Sequence, residues 1–442
     1  MAQGNWTKKE QEDGWVSLLL PIFLLTVCPV FVIVFWYCLA HCDGSFAALG
    51  VEALIGGLGG VPAFMRQIWP NPLDGEAWRL IGTYAAFELL LMRLMPGKEF
   101  VANATATGHR PVYKANGMQC YLATLAAYLL LVATGHFDSY KVYDKFGEIL
   151  SGLCFGSLLF VLALYFKGLY APSTADSGSS GSFIKDYYWG TELYPRVLGW
   201  DVKVFTNCRF GMMYWAVGIL CYAHKQIHAH GSLTDSMAVS VALQLAYITK
   251  FFWWESGYMN TMDIQHDRAG YYICWGCLVW LPGVYTFTTF YLAAHPRDLG
   301  AATAAAVFVL GVFCIWANYD ADRQRAHFRS VGGKCAIWGR PARSIVASYS
   351  DGRGGTKKSL LLTSGWWALS RHFHYIPEIG ASLCWAAPAG LGHVAPYFYA
   401  VYLTGLLTHR AFRDDVRCRA KYGKDWDRYC EKVPHKIVPG LL

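Results

Sequence analysis

Charged residues are scarce in this sequence. Asp, Glu, Lys and Arg make up 15% of the 442 residues, whereas hydrophobic residues make up 55% and aromatic residues 16%. Soluble domains usually contain about 25% charged residues, so this composition excludes an ordinary soluble protein. The long apolar runs instead predict an all-α polytopic membrane protein, because helices satisfy their own backbone hydrogen bonds in lipid.

Familiar metal and nucleophile motifs are also lacking. The fourteen cysteines are scattered, many of them within apolar runs, and they suggest neither a zinc site nor a disulfide framework. His224 and His228 are four residues apart, but the further histidine boxes of membrane diiron hydroxylases are missing, which favours an interfacial helix end. Spacing alone assembles no Ser-His-Asp arrangement. We therefore expect no metal site.

The chain has neither a complete phosphate loop nor a cleavable leader by its pattern. The glycine-rich residues 56–62 lack a following Lys-Ser/Thr, so we interpret them as a bend. The first apolar run starts near Ser17 behind Glu10, Glu12 and Asp13, and no small-residue cleavage site closes it. We expect a membrane span there. The net charge of +8 is attributed to loop orientation, and no nucleic-acid partner is expected.

Hydropathy predicts about ten transmembrane helices. Eight are expected before residue 319, and residues 378–408 are long enough for two short spans, with Pro388 and Gly390 at the bend. The eight are predicted at residues 17–40, 77–95, 117–134, 147–166, 211–228, 235–257, 270–292 and 301–318.

Charge in the loops predicts the orientation. Residues 319–358 carry nine Lys/Arg against three Asp/Glu, and residues 410–442 carry nine against five. The positive-inside rule places both segments in the cytosol, and eight preceding spans then place the N-terminus there as well. Residues 172–182, rich in Ser and Gly, predict a flexible linker. Alternation in residues 344–349 and 358–363 predicts a small cytosolic hairpin or ordered loop that turns at Asp351-Gly352.

The most unusual stretch is residues 409–429, which combines many Arg and Lys residues with the carboxylates Asp414 and Asp415. A stop-transfer tail would explain the cations but not the interleaved aromatic residues, so we favour a pocket for an anionic cofactor. Upstream, Arg325 and Arg329 would share one face of a continued helix and could clamp a phosphate. An ordinary juxtamembrane basic run stays open as the alternative.

Two further groups of residues could carry chemistry. Trp367 and Tyr375 offer flat faces for a nicotinamide or adenine, and His374 offers a donor, although an interfacial aromatic belt would look similar. Tyr247 and Glu255 are eight residues apart in the sixth predicted span, and so fall on nearly one helical face. A buried phenol beside a carboxylate is a plausible proton donor, with a polar helix–helix contact as the alternative.

The C-terminal stretch resembles the sterol reductase signature H-R-x-x-R-D-x-x-x-C-x-x-K-Y-G-x-x-W-x-x-Y. That family includes Δ14, Δ24(28) and Δ7 sterol reductases and the membrane half of the lamin B receptor. Residues 261–267, 279–282, 335–340 and 370–375 look like the Δ7 branch, and 320–325 and 363–367 are closer to its plant or algal members. The resemblance runs from about Trp15 to Leu442. The signature is carried here by His409, Arg410, Arg413, Asp414, Cys418, Lys421, Tyr422, Gly423, Trp426 and Tyr429.

The resemblance implies which residues contact NADPH and which deliver a proton. Tyr247 and Asp414 match positions implicated in proton delivery, and Glu255 is kept beside them as a catalytic candidate. The family usually has Lys at the Arg325 position, and a second family signature that ends in Asn-Pro-Arg reads Tyr194-Pro195-Arg196 here. The implied NADPH-contacting positions are Arg325, Arg329, Leu362, Trp367, His374, Tyr375, Asp414, Cys418, Arg419, Lys421, Tyr422 and Tyr429.

The same resemblance implies NADPH-dependent reduction of the C7–C8 double bond of Δ5,7-sterols. A Δ14-sterol reductase and a non-catalytic sterol-binding protein are the alternatives, and an isoprenylcysteine-type methyltransferase is disfavoured because S-adenosylmethionine carries no phosphate. We expect a membrane-soluble sterol as substrate and the endoplasmic reticulum membrane as location, with both termini cytosolic. Residues 1–442 are expected to form one domain, with helices and loops in 1–210 and the catalytic half in 211–442.

Overall fold

The computed structural model describes residues 16–56, 60–102, 104–105, 107–350 and 355–441. The chain divides into two compact units. Unit 1 contains residues 1–297 and 392–396, and unit 2 contains residues 298–391 and 397–442. The expected division of one domain at residue 210 stays a prediction.

Unit 1 is built from helices. The helix bounds reflect local chemistry: the Asp74 side chain accepts a hydrogen bond from Ala77 N at 2.9 Å and so caps one helix start. Pro282, which has no backbone N–H, lies in a wide π-helical segment that interrupts the seventh predicted span. The helices are α1 Val16–His41, α2 Phe46–Gly56, α3 Val61–Ile68, α4 Gly75–Leu94, α5 Gly117–Ala133, α6 Tyr140–Asp144, α7 Phe146–Tyr170, α8 Phe183–Trp189, α9 Val202–Val204 with a π-helical continuation Phe205–Gly211, α10 Met212–His230, α11 Asp235–Trp253, α12 Glu255–Tyr258, α13 Met262–Gln265, α14 Tyr271–Trp275 with a π-helical continuation Gly276–Tyr285, and α15 Phe287–Ala294.

Short antiparallel strand pairs join some of the helices of unit 1. The strand β1 (Lys98–Val101) pairs with β2 (Val112–Ala115), and β3 (Arg196–Val197) pairs with β4 (Trp200–Asp201). Tyr113 packs with Tyr194 and Val204 in a buried cluster beneath these pairs.

The prediction of a flexible linker at residues 172–182 is wrong. Asp176 accepts hydrogen bonds from the Thr105 hydroxyl at 2.9 Å and the Thr107 hydroxyl at 2.7 Å. The Asp186 carboxylate accepts the backbone N–H of Ser180 at 2.8 Å. In a flexible linker the small polar side chains would be hydrated. Here they form hydrogen bonds with neighbouring groups, which fix this loop against the rest of unit 1.

The connections of unit 1 form two sets of contacts. In one set, the connections after α4, α7 and α11 meet: Thr105 bonds to Asp176, and the buried Lys203 ammonium donates to Ile264 O at 2.7 Å. In the other set, the connections after α1, α5 and α10 contact helix ends. Asp43 lies 3.3 Å from His295 at the end of α15, Ser139 Oγ lies 2.7 Å from His224 Nδ1, and Thr234 N donates to Gln226 Oε1 at 2.9 Å. Each set gathers alternate connections, as expected of helices that cross a layer in turn.

Unit 2 combines long helices with a hairpin. The predicted strands are present, with β7 and β8 paired antiparallel from Ser344↔Leu362 to Ser350↔Thr356. The predicted turn at Asp351-Gly352 lies outside the described residues. The cytosolic location of this hairpin stays a prediction. The elements are α16 Ala301–Ser330, β5 Ala336–Ile337, β6 Arg340–Pro341, β7 Ser344–Ser350, β8 Thr356–Leu362, a 3-10 turn Gly365–Ala368, α17 Tyr375–Ala386 followed by a 3-10 turn Ala387–Ala389, α18 Phe398–Tyr422, and α19 Lys424–Lys432. A further 3-10 turn, Ala395–Tyr397, precedes α18, and its first two residues belong to unit 1.

The predicted spans correspond to helices, with shifted ends. Four described helices are long and apolar enough to cross a membrane, namely Leu18–His41, Phe146–Tyr170, Tyr271–Ala294 and Ala301–Ser330, and Gly117–Ala133 is a shorter apolar helix. The eighth span was expected to end near residue 318, but its helix continues to Ser330 and carries polar residues in its last turns. The count of ten spans stays a prediction.

Candidate active site in unit 2

The last turns of α16 carry the first basic group of the candidate site. Because the helix continues to Ser330, Arg325 and Arg329 are one turn apart on it, as predicted. The Arg325 guanidinium lies over the Trp367 ring, 4.2 Å from its centroid, and donates to Asp322 at 2.9 Å. Arg329 makes no ion pair with a described residue, so its charge is available to an anion.

Trp367 is fixed in position by backbone contacts. It is buried, and its indole N–H donates to Ala321 O at 2.8 Å. The ring packs with Phe328 and Leu362 in a small apolar cluster beside the hairpin. A flat, immobile indole face therefore stands beside the α16 cations.

A row of rings extends from Trp367. The His374 ring lies 5.1 Å from Trp367 and 4.4 Å from Tyr375, measured between centroids. Tyr375 stacks in turn on His372 at 5.1 Å, and the Asn318 side chain donates to His374 O at 2.9 Å. Burial raises the pKa of Tyr375 to about 12, against the positive charge of Arg410, so its phenol stays protonated.

Asp414 closes this row. One of its carboxylate oxygens lies 3.8 Å from His372 Nε2, and the other accepts from Arg417 at 2.6 Å. The Cys418 thiol contacts the first oxygen at 3.7 Å. Burial, followed by the charge of Asp414, raises the pKa of Cys418 to about 12, which keeps that thiol unreactive.

The end of α18 and the following α19 complete the group. The buried Tyr429 hydroxyl donates to Leu362 O at 3.1 Å and so joins α19 to the hairpin. The Lys421 ammonium lies over the rings of Tyr349, at 4.2 Å, and Tyr422, at 5.1 Å. Arg419 pairs with Asp427 at the exposed edge. Contacts thus connect Arg325, through Trp367 and the rings, to Asp414 and Cys418.

Comparison with known proteins identifies the family. Residues 9–442 match the ergosterol biosynthesis ERG4/ERG24 family. The chain belongs to this family. It is 53% identical over 426 residues to a 7-dehydrocholesterol reductase of Arabidopsis thaliana, covering 95% of this chain and 96% of that protein.

Of two more distant relatives, one has the same name as the Arabidopsis protein and one has a different name. The chain is 35% identical to a 7-dehydrocholesterol reductase of Xenopus laevis, over 99% of this chain and 95% of that protein. It is 34% identical to a Delta(14)-sterol reductase of Methylotuvimicrobium alcaliphilum, over 95% of this chain and 94% of that protein. Family membership confirms the recognised signature and makes the chain a polytopic membrane protein of sterol biosynthesis.

The two remaining catalytic candidates of this sterol reductase family member, Tyr247 and Glu255, lie in unit 1. The two residues do not share one helical face, contrary to the prediction, because α11 ends at Trp253 and Trp254 leaves the helical conformation. Tyr247 is half-buried, its ring 5.5 Å from Trp215, and the Lys250 ammonium lies over it at 4.3 Å.

Glu255 is engaged in a buried polar network. One carboxylate oxygen pairs with the fully buried Arg209, and the other accepts from Gly117 N at 2.8 Å. Arg209 also donates to Asn116 Oδ1 at 2.8 Å. Both carboxylate oxygens are thus used to join three segments, which favours the alternative of a structural polar contact. The catalytic role of Glu255 stays a prediction.

Asp415 and Arg371 support the site and were not predicted to do so from the sequence. The Asp415 carboxylate lies 3.9 Å from Arg371 and 3.7 Å from Lys436, and accepts from Trp426 Nε1 at 3.1 Å. Arg371 also donates to Val433 O at 2.9 Å. Asp415 therefore ties the C-terminal segment to the loop that carries His372. The only sign of this role in the sequence was the pair of adjacent acids, Asp414 and Asp415, within a basic stretch. That pattern does not indicate which residues Asp415 contacts.

The histidines near residue 224 have local partners. His224 bonds to Ser139, and the His228 ring stacks on Tyr140 with 3.9 Å between centroids. These contacts account for both rings within unit 1. Among the described residues, no group of three or more His, Cys, Asp or Glu side chains could hold a metal ion. Cys274 and Cys277, in C-x-x-C spacing, are free buried thiols.

Proposed function

We propose that this protein reduces the C7–C8 double bond of Δ5,7-sterols with NADPH. The observation that carries the proposal is the 53% identity, over nearly the full length of both chains, to the Arabidopsis 7-dehydrocholesterol reductase. The Delta(14)-sterol reductase match is much weaker, at 34% identity. Membranes containing the protein should therefore convert a Δ7 substrate with NADPH, and should leave Δ14 and Δ24 sterols largely unchanged. Preferential turnover of a Δ14 sterol would contradict the assignment.

The residues of unit 2 fit a phosphorylated nicotinamide cofactor. Arg325 and Arg329 supply two guanidinium groups one turn apart, and Arg329 is without an ion pair among the described residues. Trp367 and Tyr375 supply planar faces, and Tyr429 fixes the carbonyl of Leu362 beside them. NADPH would bind along this row and supply the hydride. Arg419 and Lys421 are proposed to contact the NADPH molecule at the exposed edge of the site.

The protein must deliver a proton to the ring carbon that does not receive the hydride. Tyr247 is one donor candidate: when its phenol gives up the proton, the Lys250 ammonium, which lies 4.3 Å from the centroid of the Tyr247 ring, can stabilise the phenolate. Asp414 is the other candidate. Its carboxylate is already engaged by Arg417 in an ion pair at 2.6 Å. We therefore favour Tyr247 as the donor.

Variants of the two candidates test the proton pathway. Tyr247→Phe should lower kcat by at least about 100-fold while sterol and NADPH still bind, because only the dissociable proton is lost. Lys250→Met should lower kcat less than Tyr247→Phe does, because the dissociable proton is kept and only the stabilising charge is lost. NADPH binding should be unchanged. Asp414→Asn serves as the comparison: if it abolishes turnover with NADPH binding retained while Tyr247→Phe remains active, Asp414 is the donor.

The phosphate assignment has its own test. Arg329→Ala should raise KM for NADPH about tenfold or more, and should change KM for NADH little, because a charge-assisted bond to the 2′-phosphate is lost. Arg323→Ala is the matched control, since Arg323 is engaged by Asp320 at 2.6 Å. Equal changes for both cofactors in Arg329→Ala would remove the assignment.

We further propose ten transmembrane helices in the endoplasmic reticulum membrane, with both termini and the hairpin in the cytosol. The charge excess of residues 319–358 and 410–442 supports this orientation. The two sets of connections in unit 1 also support it, because each set gathers alternate connections of the predicted spans.

A further inference from the structure

A cavity of about 480 Å³ lies in unit 1, between the β1–β2 pair and the β3–β4 pair. This volume is in the usual range of small-molecule sites, about 300–1,000 Å³. Three basic residues contribute to its lining: Arg93 from the end of α4, Lys114 from β2 and Arg196 from β3. The last belongs to the second family signature, to which the proposed reaction assigns no role.

The three cations at this cavity are not held in ion pairs. Among the described residues, Arg93, Lys114 and Arg196 form no ion pair with a carboxylate, whereas Lys145, Lys167, Arg209 and Lys225 of the same unit all do. Glu99, paired across the strands with Lys114, and Asp201 also line the cavity. The Asp201 carboxylate accepts Val204 N at 3.0 Å and thus serves as a helix cap.

Backbone contacts orient two of the cations and leave donors unused. The Lys114 ammonium donates one hydrogen bond, to Arg93 O at 2.9 Å, and an ammonium has three donors. The Arg196 guanidinium donates to Val112 O, and a guanidinium has five. Both side chains are therefore held in place with N–H groups still free for an anion.

Tyr113 provides a second, independent observation. Tyr113 is among the residues that line the cavity, its side chain is only 4% exposed, and its hydroxyl has no hydrogen-bond partner in the described part of the chain. A buried hydroxyl without a partner costs free energy, and a ligand oxygen would supply the acceptor that it lacks.

We propose that this cavity binds a phosphate ester, held by Arg93, Lys114 and Arg196, with the Tyr113 hydroxyl as a neutral donor. Phosphate oxygens accept several charge-assisted hydrogen bonds at once, which matches converging donors of this kind. The ester could be the headgroup of an anionic phospholipid, since β1 begins at Lys98, shortly after α4 ends at Leu94 near the expected membrane surface. It could also be a soluble phosphate compound.

Binding of two probes to the purified full-length protein tests the proposal. Titration calorimetry in detergent would use dioctanoyl phosphatidic acid and inorganic phosphate. Lys114→Gln should weaken binding about tenfold, because one charge-assisted bond is lost. Lys98→Gln is the matched control: Lys98 is exposed on the paired strand and does not line the cavity, so binding should be unchanged.

Tyr113→Phe gives a readout that does not depend on charge. Its hydroxyl has no partner to lose in the free protein, so the variant should fold and should bind the probe several-fold more weakly. Tighter binding of the lipid than of inorganic phosphate identifies a headgroup site, and equal binding identifies a soluble phosphate site. Absence of binding for both probes at millimolar concentration, or equal losses in Lys98→Gln and Lys114→Gln, overturns the proposal.

Discussion

At the residue scale, the candidate active site depends on the charge state of a buried histidine. His372 is buried, lies 3.8 Å from the Asp414 carboxylate and stacks on Tyr375. Burial, and then the neighbouring His374, lowers the pKa of His372 from 6.5 to about 3, although Asp414 opposes the shift. The imidazole therefore stays neutral in the folded protein through the physiological range.

This shift predicts that the protein loses stability in mild acid. Unfolded His372 takes up a proton below pH 6.5, while the folded form does so only near pH 3. Its contribution is thus fully present above pH 6.5 and is lost as the pH falls from there towards 3. Between pH 7 and 5 the free energy of unfolding should fall by about 2 kcal/mol from this group.

Chemical unfolding in detergent micelles at several pH values would measure the effect. His372→Gln should flatten the pH dependence, and the exposed His327, replaced by Gln in a control, should leave it unchanged. An identical slope in His372→Gln and the unmodified protein would show that other groups titrate instead.

At the element scale, the turn between β8 and the rings of the site depends on one glycine. Gly365 has φ +64°, and an added Cβ would lie 2.2 Å from Gln324 Oε1 and 2.6 Å from the Ile337 side chain. Gln324 also accepts the backbone N–H of Trp366 at 3.3 Å. The backbone conformation and the close approach both require glycine.

Gly365→Ala should therefore destabilise unit 2 by roughly 3 kcal/mol, from left-handed strain and overpacking together, and should weaken NADPH binding through Trp367. Gly339→Ala separates the two causes: its φ is +75°, but a Cβ there meets nothing within 4 Å, so only about 1 kcal/mol is expected. Thermal unfolding in detergent would compare them. Equal losses in the two variants would exclude the steric contribution.

At the scale of the whole molecule, the arrangement of helices makes a prediction about orientation. The loops that contain Gly135 and Ala175 belong to the two different sets of contacts in unit 1, and both residues are exposed. With both termini cytosolic, a tag inserted after Ala175 should be digested by protease added to sealed microsomes, and a tag after Gly135 should be protected. A C-terminal tag should be digested as well; its protection would refute the orientation.

The sequence by itself determined the helical class and the family, and it supplied most of the candidate residues of the site. Apolar runs located the helices because burial in lipid demands them. The C-terminal signature singled out Asp414, Cys418 and Tyr429 as candidates because it prescribes residue types at fixed spacing. Periodicity also found the strands β7 and β8, since alternation records the two faces of a strand.

Only the tertiary structure decided how these residues are used. The eight-residue spacing predicted one face for Tyr247 and Glu255 only if α11 continued to Glu255, but the helix ends at Trp253. Glu255 instead pairs with Arg209, 46 positions away in sequence. The polar loop 172–182 gave no sign of its partners Thr105 and Thr107. The cavity beside Lys114 was likewise hidden, because its cations come from three separate segments. Spacing describes neighbours along one element, and contacts between distant segments are decided by packing.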